Sequence, residues 1–139
     1  MVTSRSTRPV HILRIYCPVA RETMQAMAAG DPAAIVRDPT LAAMLAIIRA
    51  DNPLGDFGLY RSVVELAPGW ELFTPGPAAR PTLGTAQADQ ASPTAILTVH
   101  IAADVPDDAL DAVLDQLLAA HPWEVPVIEM MRAALLTRA

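Results

Sequence analysis

The chain has 139 residues with ten arginines, no lysine and fifteen acids, for a net charge of -5; this suits a single domain and lacks the basic cluster that nucleic acid demands. Apolar residues make up 53% but aromatics only 4%, so the core must come from aliphatic side chains and alanine in close helix-on-sheet layers, with a surplus for burial between subunits. A lone cysteine excludes an internal disulfide, residues 1–8 lack the apolar run of a secretory signal, and no stretch approaches the roughly 18 apolar residues of a membrane span, so a cytoplasmic protein without a membrane partner is expected.

In chain order, residues 1–8 are polar and basic and read as a disordered arm ahead of a domain at 9–132. Pro9 to Cys17 is rich in β-branched residues and predicts a first strand stopped by Pro18. Residues 19–50 are helical in type but broken, with Asp31-Pro32 and Asp38-Pro39 each resembling a helix start. The clearest helix there is Thr40 to Ala50, where Leu41, Met44, Leu45 and Ile48 make one stripe at i, i+3, i+4 and i+7. Phe57 to Leu66 predicts a second strand, Ala67-Pro-Gly69 a turn, and residues 74–93 a long exposed loop. Thr94 to Ala103 alternates as a third strand, and Pro106 to Ala120 is an amphipathic helix with Leu110, Val113, Leu114, Leu117 and Leu118 on one face and acids at its start. His121-Pro122 ends it, Trp123 to Met131 is expected to be a fourth strand, and 133–139 a tail or short helix.

The order β-α-β-β-α-β predicts an α+β, ferredoxin-like antiparallel sheet with helices on one face. In that topology the first strand lies between the third and fourth, so Cys17 and His121 should meet at one end of the sheet.

The stretch His121-Pro-Trp-Glu-Val-Pro-Val-Ile-Glu129 resembles the His-Pro-Tyr-Glu-Val-Pro-Glu-Ile signature of CutA proteins, the divalent-cation-tolerance family, and Ile15-Tyr-Cys17-Pro18 resembles the turn after the first CutA strand. Pro53-Leu-Gly-Asp-Phe-Gly-Leu-Tyr-Arg, Gly69-Trp-Glu-Leu-Phe-Thr-Pro75 and Ala79-Arg-Pro-Thr-Leu-Gly84 are instead similar to the PII-like insert of Nif-like NGG-interacting-factor proteins. Both resemblances imply a PII/CutA-like fold over most of residues 10–131, assembled as a homo-oligomer, most often a trimer. Tyr60 stands near a position that is often Cys in the insert family, and Ala33 to Ala50 is longer than either family needs. The metal-binding halves that flank the insert in full-length Nif-like proteins have no counterpart here, so no hydrolase activity is carried over.

The CutA resemblance implies a copper or other divalent-metal site at Cys17 and His121, and since such a site needs three or four ligands, Glu124 and another subunit would have to supply the rest. The same residues also read plainly, Cys17 as a small buried apolar side chain and His121 as the residue that holds the turn. Trp70, Phe73 and Trp123 are candidates to line a small-ligand cleft or a subunit seam, and Arg61 and Arg80 would have to grip phosphate if a PII-like nucleotide site were present. No nucleophile motif, phosphate loop or metalloprotease spacing appears, so a non-enzymatic module is expected, its loop 74–93 meeting a small ligand or a partner protein.

Overall fold

The computed structural model describes residues 4–81, 83–85 and 87–138. Strand β1 (Arg5–Pro18) alternates between buried Leu13, Ile15 and Cys17 and half-buried Arg14 and Tyr16, as a pleated strand with one covered face must. Helices α1 (Arg21–Ala28), α2 (Ala33–Arg37) and α3 (Pro39–Arg49) follow, then β2 (Glu65–Phe73), β3 (Gln90–Ala102), α4 (Asp107–Ala120) and β4 (Ile128–Arg138). The sheet order is β2-β3-β1-β4 with every neighbouring pair antiparallel, which places the first strand between the third and fourth as the split βαβ reading requires.

Register puts Leu13, Ile15 and Cys17 opposite Val99, Leu97 and Ala95. These six join Leu41, Met44, Leu45 and Ile48 of α3 and Leu110, Val113 and Leu117 of α4 in one core. The α3 stripe is thus buried as its spacing predicts, whereas Leu118 of α4 is 52% exposed and lies off the packed face. The opposite sheet face carries Ile12, Arg14, Tyr16, Ile96, Thr98 and His100, all half-buried, and no helix of the described residues packs there. No helix is long and apolar enough to cross a membrane.

One buried carboxylate organises the helical side. Asp38, 3% exposed, precedes Pro39 and caps α3 by accepting from the Thr40 and Leu41 amides at 3.0 and 3.2 Å through Oδ1. Its Oδ2 accepts from the Ala20 amide at 3.0 Å and the Thr23 hydroxyl at 2.8 Å, which ties the start of α1 to the start of α3. Asp31 acts more locally, accepting from the Ala33 amide and pairing with Arg37 at 2.8 Å in solvent.

Several expected boundaries are corrected. Residues 5–8 are not an arm: Arg5, Ser6, Thr7 and Arg8 pair with Arg138, Thr137, Leu136 and Leu135, and Ser6 and Thr137 share a side-chain hydrogen bond of 2.8 Å. Ladder pairing uses backbone groups, so a polar strand forms once a partner is aligned beside it. The same pairing makes Ile128–Arg138 a strand, where a tail or short helix was expected from residue 133. The second strand starts at Glu65 rather than Phe57 because residues 55–64 turn repeatedly. Gly55 has φ +65, and a Cβ there would stand 2.3 Å from the Val63 carbonyl oxygen. Ala67-Pro-Gly69 is no turn but the middle of β2, an outer strand whose unpaired side tolerates a missing N–H. The long loop ends at Asp89, since Gln90 to Pro93 already pair with β2. Trp123 to Val127 is irregular, with Pro122 and Pro126 removing two donors, so the fourth strand begins at Ile128.

Asp38→Ala leaves four donors without their acceptor, two of them at a helix start, and is expected to lower the unfolding free energy by about 2–4 kcal/mol in urea denaturation. Asp31→Ala, at an exposed pair, should leave the midpoint almost unchanged.

Candidate functional site

Antiparallel pairing brings the far end of β2 beside the segment that follows α4, because β3 joins β2 to β1 and β1 pairs with β4. Glu71 and Phe73 stand two residues apart on β2 and therefore share a face. The loop after β2 adds Pro75, Ala79, Pro81 and Leu83, and the irregular segment adds Trp123, Glu124, Val125 and Val127. Together they enclose a cleft of about 310 Å³ with mostly apolar walls. Phe73 and Trp123 form its aromatic side, their ring centres 5.2 Å apart and tilted by 58°.

Trp123 is held there by His121. The Trp123 amide donates to His121 Nδ1 at 3.2 Å, and His121 Nε2 stands 2.7 Å from the Tyr16 carbonyl oxygen. A carbonyl only accepts and an amide N–H only donates, so Nε2 carries the hydrogen and Nδ1 does not. His121 was expected beside Cys17; the contact it makes at the end of β1 is with the carbonyl of Tyr16, the residue before Cys17. The Tyr16 amide adds a second tie by donating to the Val127 carbonyl at 3.1 Å. Across the mouth, Glu124 Oε1 accepts from the Arg80 amide and so joins the two loops that wall the cleft.

Glu71 is the residue left unexplained by this framework. Its Oε1 is buried and has no hydrogen-bond partner among the described residues. Burial pushes the Glu71 carboxyl up from the ordinary glutamate range. Two carboxylates, Glu71 and Glu124, line the cleft, and no basic side chain does.

The residues nominated from sequence separate clearly. Phe73, Trp123 and Glu124 come together in the cleft. Trp70 points to the other face of β2 and is 53% exposed. Arg61 lies on the exposed 55–64 turns, paired with Asp51 at 3.1 Å, and Arg80 meets the cleft through its amide and not its guanidinium. Glu71 was missed, along with Val125 and Val127; its signal was the two-residue phase it shares with Phe73.

Within one chain, Cys17, His121 and Glu124 are not gathered into a metal-holding group. Among the described residues no group of three or more His, Cys, Asp or Glu is arranged to hold one. Cys17 is in the core, and burial first, then the Asp38 and Glu71 carboxylates, push its thiol up to about 12, far from the thiolate that ligates metals. Both His121 nitrogens and one Glu124 oxygen are already engaged within the chain.

No family model matches the sequence, and no curated protein matches it. Among solved structures, the chain is similar to a Bacillus cereus protein related to NIF3, with a TM-score of 0.59 and 12% identity over 95% of this chain and 27% of that one. The chain thus spans about a quarter of that protein's length. It is also similar to the periplasmic divalent cation tolerance protein CutA from Archaeoglobus fulgidus, with a TM-score of 0.41 and 14% identity over 88% of this chain and 81% of that one. For CutA1 from Oryza sativa the values are 0.41 and 15%, over 91% and 82%. The fold is a ferredoxin-like α+β arrangement, and it is similar to that of the NIF3-related protein.

The raised Glu71 carboxyl sets a pH dependence of definite sign. Folding favours its protonated form, so its stabilising contribution is present at low pH and fades as pH rises through the elevated folded value. Glu71→Gln, which keeps the shape without the charge, is expected to melt slightly higher than the parent at pH 7–8. The gap should close as pH falls toward about 4.3, the ordinary glutamate value, in thermal melts across that range. The Glu71 carboxylate in turn helps raise the Cys17 thiol, after burial and Asp38.

Proposed function

We propose that the chain is a non-enzymatic, cytoplasmic PII/CutA-like module that assembles with copies of itself, as a trimer, and takes a small ligand in the cleft between β2 and the 123–127 segment. The cleft carries this reading. At about 310 Å³ it is at the small end of the roughly 300–1,000 Å³ of ligand sites, and its apolar walls with a few polar groups match their usual chemistry.

Support for self-assembly comes from what one copy leaves uncovered. Both outer strands, β2 and β4, have an unpaired side, and Leu72 and Leu136 on them are 78% and 74% exposed. Ile12, Tyr16 and Ile96 sit on the sheet face that has no helix. An aliphatic-rich chain with two open borders and one open face gains by burying them against sister chains. The clefts lie at the β2 border, so assembly there would alter how a ligand enters, which is a regulatory coupling available without catalysis.

Light scattering on the purified chain should give a mass near three times 14.8 kDa, and Ile12→Asp, on the open face, should shift it toward a single copy while circular dichroism keeps the α+β signature. A thermal-shift screen of small molecules should find stabilisers whose effect is lost in Trp123→Ala. A parent monomer at micromolar concentration contradicts the assembly half of the reading, and a screen with no Trp123-dependent stabiliser contradicts the ligand half.

A further inference from the structure

Resting on the reading of this cleft as a ligand site, we infer that its ligand is a compact organic cation, a flat apolar body bearing a protonated nitrogen that pairs with the Glu71 carboxylate in the lining. Three observations converge on that chemistry. The first is the Glu71 carboxylate itself, half-buried in the lining and with no donor to its covered Oε1 among the described residues, whereas the buried Asp38 has four. A carboxylate that the chain leaves without a donor is paired by a ligand that brings one to its accessible side. The second is charge. The lining holds Glu71 and Glu124 and no arginine side chain, while Arg80 turns only its amide inward, and that amide is already held by Glu124. A phosphate or carboxylate would meet two negative groups and no positive one; a cation meets the complementary field. The third is shape. Phe73 and Trp123 pack on each other at 5.2 Å and present one aromatic side, while Val125, Val127, Pro75 and Leu83 close the remainder, so a planar ring can lie against that side and its positive end is favoured by the aromatic faces.

The roles divide accordingly. Glu71 supplies the charge and the acceptor, the Phe73 and Trp123 pair supplies the contact area, and Glu124 keeps the mouth in shape through the Arg80 amide. Nucleotides, which the resemblance to PII-like proteins brings in as candidates, are poor occupants of this lining.

The test uses three probes of one shape and different charge on the full chain: benzamidinium, neutral benzamide and anionic benzoate, titrated calorimetrically and by amide NMR at pH 7.5. Benzamidinium should bind with shifts centred on Trp123 and Glu71, at least about tenfold tighter than benzoate. Glu71→Gln should weaken benzamidinium by about tenfold or more while leaving benzamide within about threefold, its fold verified in the same spectra. If benzoate or an adenine nucleotide binds in the cleft as tightly as benzamidinium, or if Glu71→Gln leaves benzamidinium unaffected, the cation assignment is overturned while the ligand cleft stands. If none of the probes shifts Trp123 up to about 10 mM, the cleft reading fails with it.

Discussion

Strand β1 is the element on which the rest depends. It is hydrogen-bonded on both sides, to β3 from Val10 to Pro18 and to β4 from Arg5 to Ile15, and its last carbonyls before Pro18 receive what comes after α4. There His121 bridges the Tyr16 carbonyl and the Trp123 amide, converting the end of a helix into a fixed wall of the cleft. Without that bridge the 121–127 segment, which holds two prolines and little regular pairing, would have few backbone partners of its own. The cleft is therefore a consequence of sheet topology: the strand order brings the end of β2 and the segment after α4 to one end of the sheet, and one imidazole fixes the approach.

Two carboxylates in the same chain show how context separates structure from function. Asp38 is buried among donors from two helix starts and needs nothing more. Glu71 is half-buried, with one covered oxygen that has no donor among the described residues, and its side chain lines an open apolar cleft. Structural carboxylates are satisfied because an unsatisfied one costs stability; a cost retained at a concave surface is the physical signature of a site made for something else. Cys17 and His121 likewise have structural roles within the chain, Cys17 in the core and His121 with both ring nitrogens engaged.

Much of the fold was legible in the sequence because side-chain periodicity is strong where one face is buried. The stripe of Leu41, Met44, Leu45 and Ile48, the alternation from Ala95 to Ile101 and the amphipathic α4 were readable for that reason, and with them the strand order. The misread pieces are those where pairing overrides local preference. Met130-Met-Arg-Ala-Ala-Leu-Leu136 favours helix and has no strand alternation, and only its alignment with residues 7–13 makes it β4. Pro68-Gly69 carries turn chemistry but lies on an outer strand that absorbs it. Half the site was missed beside it: Phe73 was nominated as an aromatic, and Glu71, two residues before it on the same face of β2, was not. Arg61 was nominated on charge alone, which says nothing about direction, and its guanidinium is spent on Asp51.

The claim on which the account turns is the His121 bridge, and the imidazole itself reports on it. Long-range 1H–15N correlation spectra of the chain at neutral pH should show His121 as a single Nε2–H tautomer, with the Trp123 amide proton slow to exchange. An Nδ1–H tautomer, or a freely exchanging Trp123 amide, would mean that Tyr16, His121 and Trp123 are not joined, and the cleft as described would have no fixed wall.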